Sequence, residues 1–243
     1  MRAPPVEGWL LDSVAMRLLL IRHGQTPDNI HGALGTARPG PGLTARGRDQ
    51  ARALPGALRD EAIAAVYASV LVRTQLTAAP LAAARGLTVG VLEGLEEIVA
   101  GDLELRSDQA AIATYLDTIR GWIHGDVDRA VPGGEDGHAF TGRYDGAIAA
   151  IEAAHTAGDT VAVVSHGAAI RTWVGMRVGA VGPADERWLS NTGMIILEGG
   201  AGAAWDLVDW IEEPVSGLTV AADHDHDVTG APAAEAVAEA PGA

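Results

Sequence analysis

The stretch Leu18-Leu19-Leu20-Ile21-Arg22-His23-Gly24-Gln25-Thr26 decides how this chain is read. Four aliphatic residues run without helical period straight into a cation, an imidazole and a glycine. A short apolar run of this kind predicts a strand buried on both faces. Reactive groups at its carboxyl end stand where open α/β sheets bind their ligands. A second stretch repeats the pattern: Thr160-Val161-Ala162-Val163-Val164 ends in Ser165-His166-Gly167. If the two strands are neighbours, the two imidazoles face each other at one sheet edge.

Composition narrows the class. The 243 residues are 48% hydrophobic with a single Phe and no Cys. That supports one sizeable core and excludes a disulfide scaffold, a thiolate metal site and a cysteine nucleophile. A reducing cytoplasm suits it. Net charge is −15, from 17 Lys+Arg against 32 Asp+Glu, which disfavours nucleic acid and anionic membrane surfaces as partners. The charge is uneven. From Glu212 onward stand Glu212, Glu213, Asp223, Asp225, Asp227, Glu235 and Glu239 with no Lys or Arg. No apolar run is long enough for a membrane span.

Read in order, residues 1–15 are a flexible N-terminal extension, 16–213 one domain, and 214–243 a disordered acidic tail without apolar period. Within the domain, a Gly- and Pro-rich loop covers 26–43. Thr44 caps a helix to about Arg59, with Pro55 arguing for a kink or break. A strand at 64–68 leads through Ser69 into a helix from about Val72. A short strand ends at Leu92, and 93–107 is irregular and acidic. Ile112, Tyr115, Leu116 and Ile119 mark the buried stripe of a helix over 108–123. After a loop holding Pro132-Gly133-Gly134-Glu135 come a helix to about His155, the second His-Gly strand and its helix. Strands at 194–197 and 205–210 close the domain. The alternation predicts an α/β three-layer sandwich, with a central, mainly parallel sheet and helices on both faces.

The residue types around the paired histidines suit a phosphoryl group. Arg22 and Arg73 can offer planar forks to its oxygens, and His166 and Asn29 can donate further hydrogen bonds. Gly24 and Gly167 leave backbone N–H groups accessible beside helix N-termini. Neighbouring arginines keep a ring nitrogen of His23 unprotonated and nucleophilic. A carboxylic acid must then protonate the departing oxygen; Glu93, Glu96, Glu97, Asp102 and Glu104 are candidates. His224-Asp225-His226-Asp227 has metal-ligand residue types, but in an acidic tail it reads as no metal site.

These motifs together resemble the histidine phosphatase superfamily, in the branch that holds cofactor-dependent phosphoglycerate mutase and many small-molecule phosphatases. Arg22-His23-Gly24-Gln25-Thr26 with Asn29 matches the nucleophile motif. Ser69 to Ala78 is similar to the second motif, with Arg73 in the phosphate pocket. Leu95-Glu96-Glu97-Ile98-Val99-Ala100-Gly101 is similar to the acid motif and selects Glu97 as proton donor. Ser165-His166-Gly167 matches the second pocket histidine, and Pro132 to Glu135 resembles a motif common in phosphatase members. The resemblance implies a phosphoglycerate mutase-like fold and a metal-independent phosphomonoesterase without cofactor. Its catalytic residues would be His23, Glu97 and His166, and its substrate a small-molecule phosphate ester or a phosphoprotein. The acid motif continues Asp102-Leu103-Glu104-Leu105 instead of an aromatic and Glu-Gly. The mutases' Glu-Arg-x-Tyr-Gly motif and following insertion are lacking, which favours hydrolysis over mutase-type transfer. A module that binds phosphate without turnover is the third reading.

Overall fold

A computed structural model describes residues 15–178, 184–200, 202–215, 217 and 227–240. Residues 1–14, and with them nearly all of the expected N-terminal extension, lie outside the described residues, as do His224, Asp225 and His226. Among the described residues, six strands form one sheet: β1 (Met16–Arg22), β2 (Ile63–Ser69), β3 (Val89–Leu92), β4 (Thr160–Ser165), β5 (Met194–Gly200) and β6 (Ala203–Ile211). Their order is β3-β2-β4-β1-β5-β6. The first four in that order run parallel; β5 pairs antiparallel with β1, and β6 antiparallel with β5. The fold is thus the α/β, mainly parallel arrangement that the alternation predicts.

The aliphatic run at the start of the chain fills both layers. Leu18, Leu19, Leu20 and Ile21 are all fully buried. Side chains alternate across a strand, so Leu18 and Leu20 enter one core and Leu19 and Ile21 the other. The first core holds Ile112, Tyr115, Leu116 and Ile119 of α4 (Gln109–Ile123), with Tyr144 and Ile148 of α5 (Gly137–Ala154) and Trp173 of α6 (Gly167–Arg177). The second holds Leu54 of α2 (Ala45–Ala57) and Leu81 of α3 (Val72–Ala84). Burying each such side chain contributes roughly 1.5–3 kcal/mol. Thr44 caps α2 as expected, accepting the Gly47 N–H, and Asp108 caps α4 in the same way. Pro55 does not break α2; it sits in the last turn, and the helix ends at Ala57.

Two elements differ from the sequence reading. The 26–43 loop opens with a one-turn helix, α1 (Pro27–His31), closed by a reciprocal capping box between Thr26 and Asn29. The acidic tail is not disordered over 227–240. Val228, Ala231 and Ala236 are buried, and α7 (Ala233–Glu239) packs on α4. The physical reason is small-residue packing: alanines fit against α4 without producing an apolar stripe. The acid among them is neutralised inside the fold, as described below.

Candidate active site

The two His-Gly strands are hydrogen-bonded neighbours. Arg22 pairs with Ser165 in parallel register, and the His23 N–H donates to the Ser165 carbonyl at 3.0 Å. Their shared carboxyl edge brings the His23 and His166 rings to 5.2 Å between centroids, edge to face. Both rings are buried.

Hydrogen-bond partners assign the His23 tautomer. Its Nδ1 lies 2.8 Å from the Gly24 carbonyl oxygen, which can only accept. The proton therefore sits on Nδ1, and Nε2 carries the lone pair. Arg73 Nε donates to that Nε2 at 3.1 Å. Burial first, then Arg73 and Arg22, holds the His23 pKa well below 6.5. His166 is lowered likewise, by burial and then by Arg73 and His23. Burial pushes Arg73 down to about 10, against the pull of Glu97 and Asp28, so it stays cationic at neutral pH.

This has a consequence for stability. A base whose pKa falls on folding binds its proton more tightly when unfolded. Each ring's contribution is therefore full above pH ~6.5 and declines as pH drops from there towards the folded pKa. The slope is about 1.4 kcal/mol per pH unit for each ring. Denaturant unfolding is expected to show lower stability at pH 5.5 than at pH 7.5. His166→Gln should make that fall smaller. A stability unchanged between these pH values would show that the rings are not held neutral by burial.

Supporting groups fix both rings. Ser69 Oγ is hydrogen-bonded to His166 Nε2 at 2.8 Å, and Asn191 Nδ2 donates to the His23 carbonyl at 3.1 Å and to Asn29 Oδ1 at 3.3 Å. Next to Asn191, Thr192 has φ 62° while its N–H donates to the Arg22 carbonyl at 3.1 Å. A β-branched residue in that region is strained. Sequence reasoning missed Asn191, which carries no motif; Ser69 stood in the second motif but was read only as a helix lead-in.

The five candidate acids separate. Glu93 is exposed on Arg38, and Glu96 is held by Arg38 and the Gly94 N–H. Glu104 accepts from the Thr36 and Ala37 N–H groups at 2.8 and 2.9 Å. The Asp102 N–H donates to the Pro132 carbonyl, which ties that residue's backbone to the Pro132 to Glu135 turn. Of the five, Glu97 lines the cavity that His23, Asn29 and Arg73 also line. Its Oε1 accepts the N–H groups of Ile98 and Ala169 at 3.0 and 2.8 Å, and its Oε2 that of Ala168 at 3.3 Å. The loop bearing Glu97 is clamped by Arg143, which donates to the carbonyls of Gly94, Glu96 and Glu97 at 2.8, 2.9 and 3.0 Å and is bidentate to Glu135. That gives the Pro132 to Glu135 motif its local purpose. A Cβ at Gly134 would stand 2.5 Å from the Val99 carbonyl oxygen, so glycine lets the two loops meet backbone to backbone.

Other expected ligands sit differently. Gly24 does not offer its N–H outward; it donates to Thr77 Oγ1 at 2.9 Å. A Cβ there would meet the Gly47 carbonyl at 2.6 Å, so the glycine serves the approach of α2. Gly167 begins α6, and a Cβ there would stand 2.4 Å from the Thr229 carbonyl. Arg22 is fully buried, with four of its five N–H groups directed to Leu189, Asp227 and Thr229. Among the described residues, its Nε, the Nη1 of Arg73 and the Nδ1 of His166 are buried nitrogens without a hydrogen-bond partner. Asp28 also lines the cavity, its pKa raised by burial.

The family to which such a fold and paired-histidine edge belong is shown by comparison. The chain belongs to the histidine phosphatase superfamily, branch 1, whose profile matches residues 18–213. It is 37% identical over 211 residues to the PE-PGRS family protein PE_PGRS11 of Mycobacterium tuberculosis, matching 80% of this chain but only 36% of that protein's length. It is 34% identical over 175 residues to the adenosylcobalamin/alpha-ribazole phosphatase of Escherichia coli, covering 71% of this chain and 83% of the relative. A solved mycobacterial glucosyl-3-phosphoglycerate phosphatase superposes with a TM-score of 0.69 at 25% identity, over 82% of this chain and all of the other. Among the described residues, no helix is long and apolar enough to cross a membrane.

Proposed function

We propose that this chain hydrolyses phosphate monoesters in two steps. His23 Nε2 attacks phosphorus, the bond to the leaving oxygen breaks, and Glu97 gives that oxygen its proton. Water then attacks the phosphohistidine; Glu97 takes the water's proton, the P–N bond breaks, and inorganic phosphate leaves. Arg22, Arg73, Asn29 and His166 hold the phosphoryl oxygens, whose charge must be met by preorganised donors. For that purpose His166 takes the tautomer with the proton on Nδ1, in which its Nε2 accepts the hydrogen bond it shares with Ser69 Oγ. The observation that carries this reading is the lone pair at His23 Nε2 set among three residues, each with a buried nitrogen that lacks a partner among the described residues. The naming of two similar proteins as phosphatases supports it.

The leaving group takes the cleft of about 360 Å³ on the far side of Glu97. Its walls carry Glu96, Glu97, Glu104 and Glu135 against Arg38 and Arg143. Both guanidinium groups are already paired. A leaving group with its own carboxylate or second phosphate meets an excess of like charge there. An uncharged polyhydroxyl alcohol meets acceptors. Phosphate release from a panel of esters tests the proposal. Esters of neutral sugars or nucleosides should exceed phosphoglycerate by at least about tenfold in kcat/KM, worth ~1.4 kcal/mol. Binding of the esters with no phosphate released from any would overturn hydrolysis in favour of a binding module. Turnover only with a bisphosphorylated primer would point to mutase-type transfer.

A further inference from the structure

The segment 227–231 closes on the proposed phosphoryl site from a part of the chain that the motifs do not reach. Asp227 presents its carboxylate to Arg22 in bidentate fashion, Oδ1 at 2.5 Å from Nη2 and Oδ2 against Nη1. The same Oδ1 accepts from Asn29 Nδ2 at 3.4 Å. Thr229 Oγ1 accepts from Arg22 Nη2 at 2.9 Å, and Thr229 forms part of the cavity wall shared with His23, Arg73 and Glu97. That cavity has a volume of about 10 Å³, room for roughly one water and less than a phosphoryl group needs.

The segment is held by its own turn and by α6. The N–H groups of Gly230 and Ala231 donate to the Asp227 carbonyl at 3.1 and 2.9 Å. Arg171 donates to the carbonyls of Thr229 and Ala231 at 3.0 and 2.7 Å, and the Leu189 N–H to that of Gly230 at 2.9 Å. A carboxylate bidentate on a guanidinium uses the fork geometry that a phosphate would use. Here it takes the fork of a residue assigned to the phosphoryl group and also reaches a second one.

We propose that residues 227–231 are an autoinhibitory strap, in which the Asp227 carboxylate stands in for the phosphoryl anion on Arg22 and Asn29 and must be displaced before substrate binds. This rests on the reading of Arg22 as a phosphoryl ligand. A tethered anion competes at high effective concentration, and the apparent affinity for a phosphate falls by the fraction of molecules in the open form.

The test is inorganic phosphate binding by calorimetry to the full chain and two variants. Asp227→Asn removes the competing charge. Arg171→Met removes the α6 donors to the Thr229 and Ala231 carbonyls of the strap and leaves the Asp227 carboxylate itself unchanged. Both should tighten phosphate binding about tenfold or more, which would place the wild type open in about one molecule of ten. Because Asp227→Asn leaves a buried cation, phosphate-dependent thermal stabilisation is followed as well. The rise in Tm on adding phosphate should be larger in Asp227→Asn than in wild type, since phosphate replaces the lost partner. Wild-type phosphate binding with affinity unchanged or weakened in both variants would overturn the strap and leave Asp227 as a residue that orients Arg22. No phosphate binding to wild type or either variant would overturn the strap together with the site reading beneath it.

Discussion

His23→Ala is expected to lower turnover of phosphate esters by at least about 10³-fold, the scale on which loss of a covalent nucleophile is felt when binding and charge stabilisation remain. The Gly24 carbonyl can only accept, so it fixes the proton on Nδ1 and leaves Nε2 as the lone-pair nitrogen. Burial and the two guanidinium groups keep the ring from taking a second proton until well below its ordinary pKa. A nucleophile so prepared should act across the mildly acidic range without the loss of rate that a free imidazole would show near pH 6.5. Rapid quenching of a labelled substrate into base should trap a phosphoryl adduct that is stable there and lost in acid. The adduct should be absent from His23→Ala. It should persist, formed more slowly, in His166→Gln, because that ring is assigned to holding oxygens and not to bonding phosphorus. Full activity in His23→Ala, or an adduct that survives the substitution, would remove the mechanism.

Legibility in the sequence followed how local the physics is. β1 and β4 were readable because fully buried parallel strands appear as continuous aliphatic runs, and both end in His-Gly. The cap Thr44 was readable because an N-cap is a contact three residues long; Asp108, read as part of its helix, is likewise the cap. That β1 and β4 are neighbours is a matter of strand order, and no residue in either strand encodes it. Pro27 after Thr26, with Asn29 three residues past the cap, was a usable signal for α1 that glycine and proline around it obscured. Asp227 was hidden for another reason. An acid in an Ala- and Asp-rich tail looks solvated until a buried Arg22, 205 residues earlier in the chain, supplies its partner. Among the five acids the motif alone singled out Glu97; in the fold it lines the cavity with His23, while Glu93, Glu96 and Glu104 are tied to partners elsewhere.

Glu97→Gln should separate the two steps of the proposed reaction. An alkyl phosphate expels a strongly basic oxygen, which needs a proton as the P–O bond breaks; losing the acid should cost about 10²–10⁴ in kcat. An aryl phosphate expels a weakly basic phenolate that leaves without that help. Its first step should therefore slow by less than about tenfold. The second step still requires a base to take a proton from the attacking water, whatever the ester was. With the aryl ester the variant should then form the phosphohistidine quickly and hydrolyse it slowly, giving a burst of phenolate and an adduct that accumulates. A structural role predicts something else. Glu97 ties its loop to the start of α6 through the Ile98, Ala168 and Ala169 N–H groups, and a glutamine nitrogen cannot accept from them. If that tie were all that mattered, both esters would lose rate equally, no adduct would build up, and the loss would track a fall in Tm. A burst confined to the aryl ester, with Tm near wild type, assigns Glu97 to proton transfer, because only a group that moves a proton in both steps makes the damage depend on the leaving oxygen.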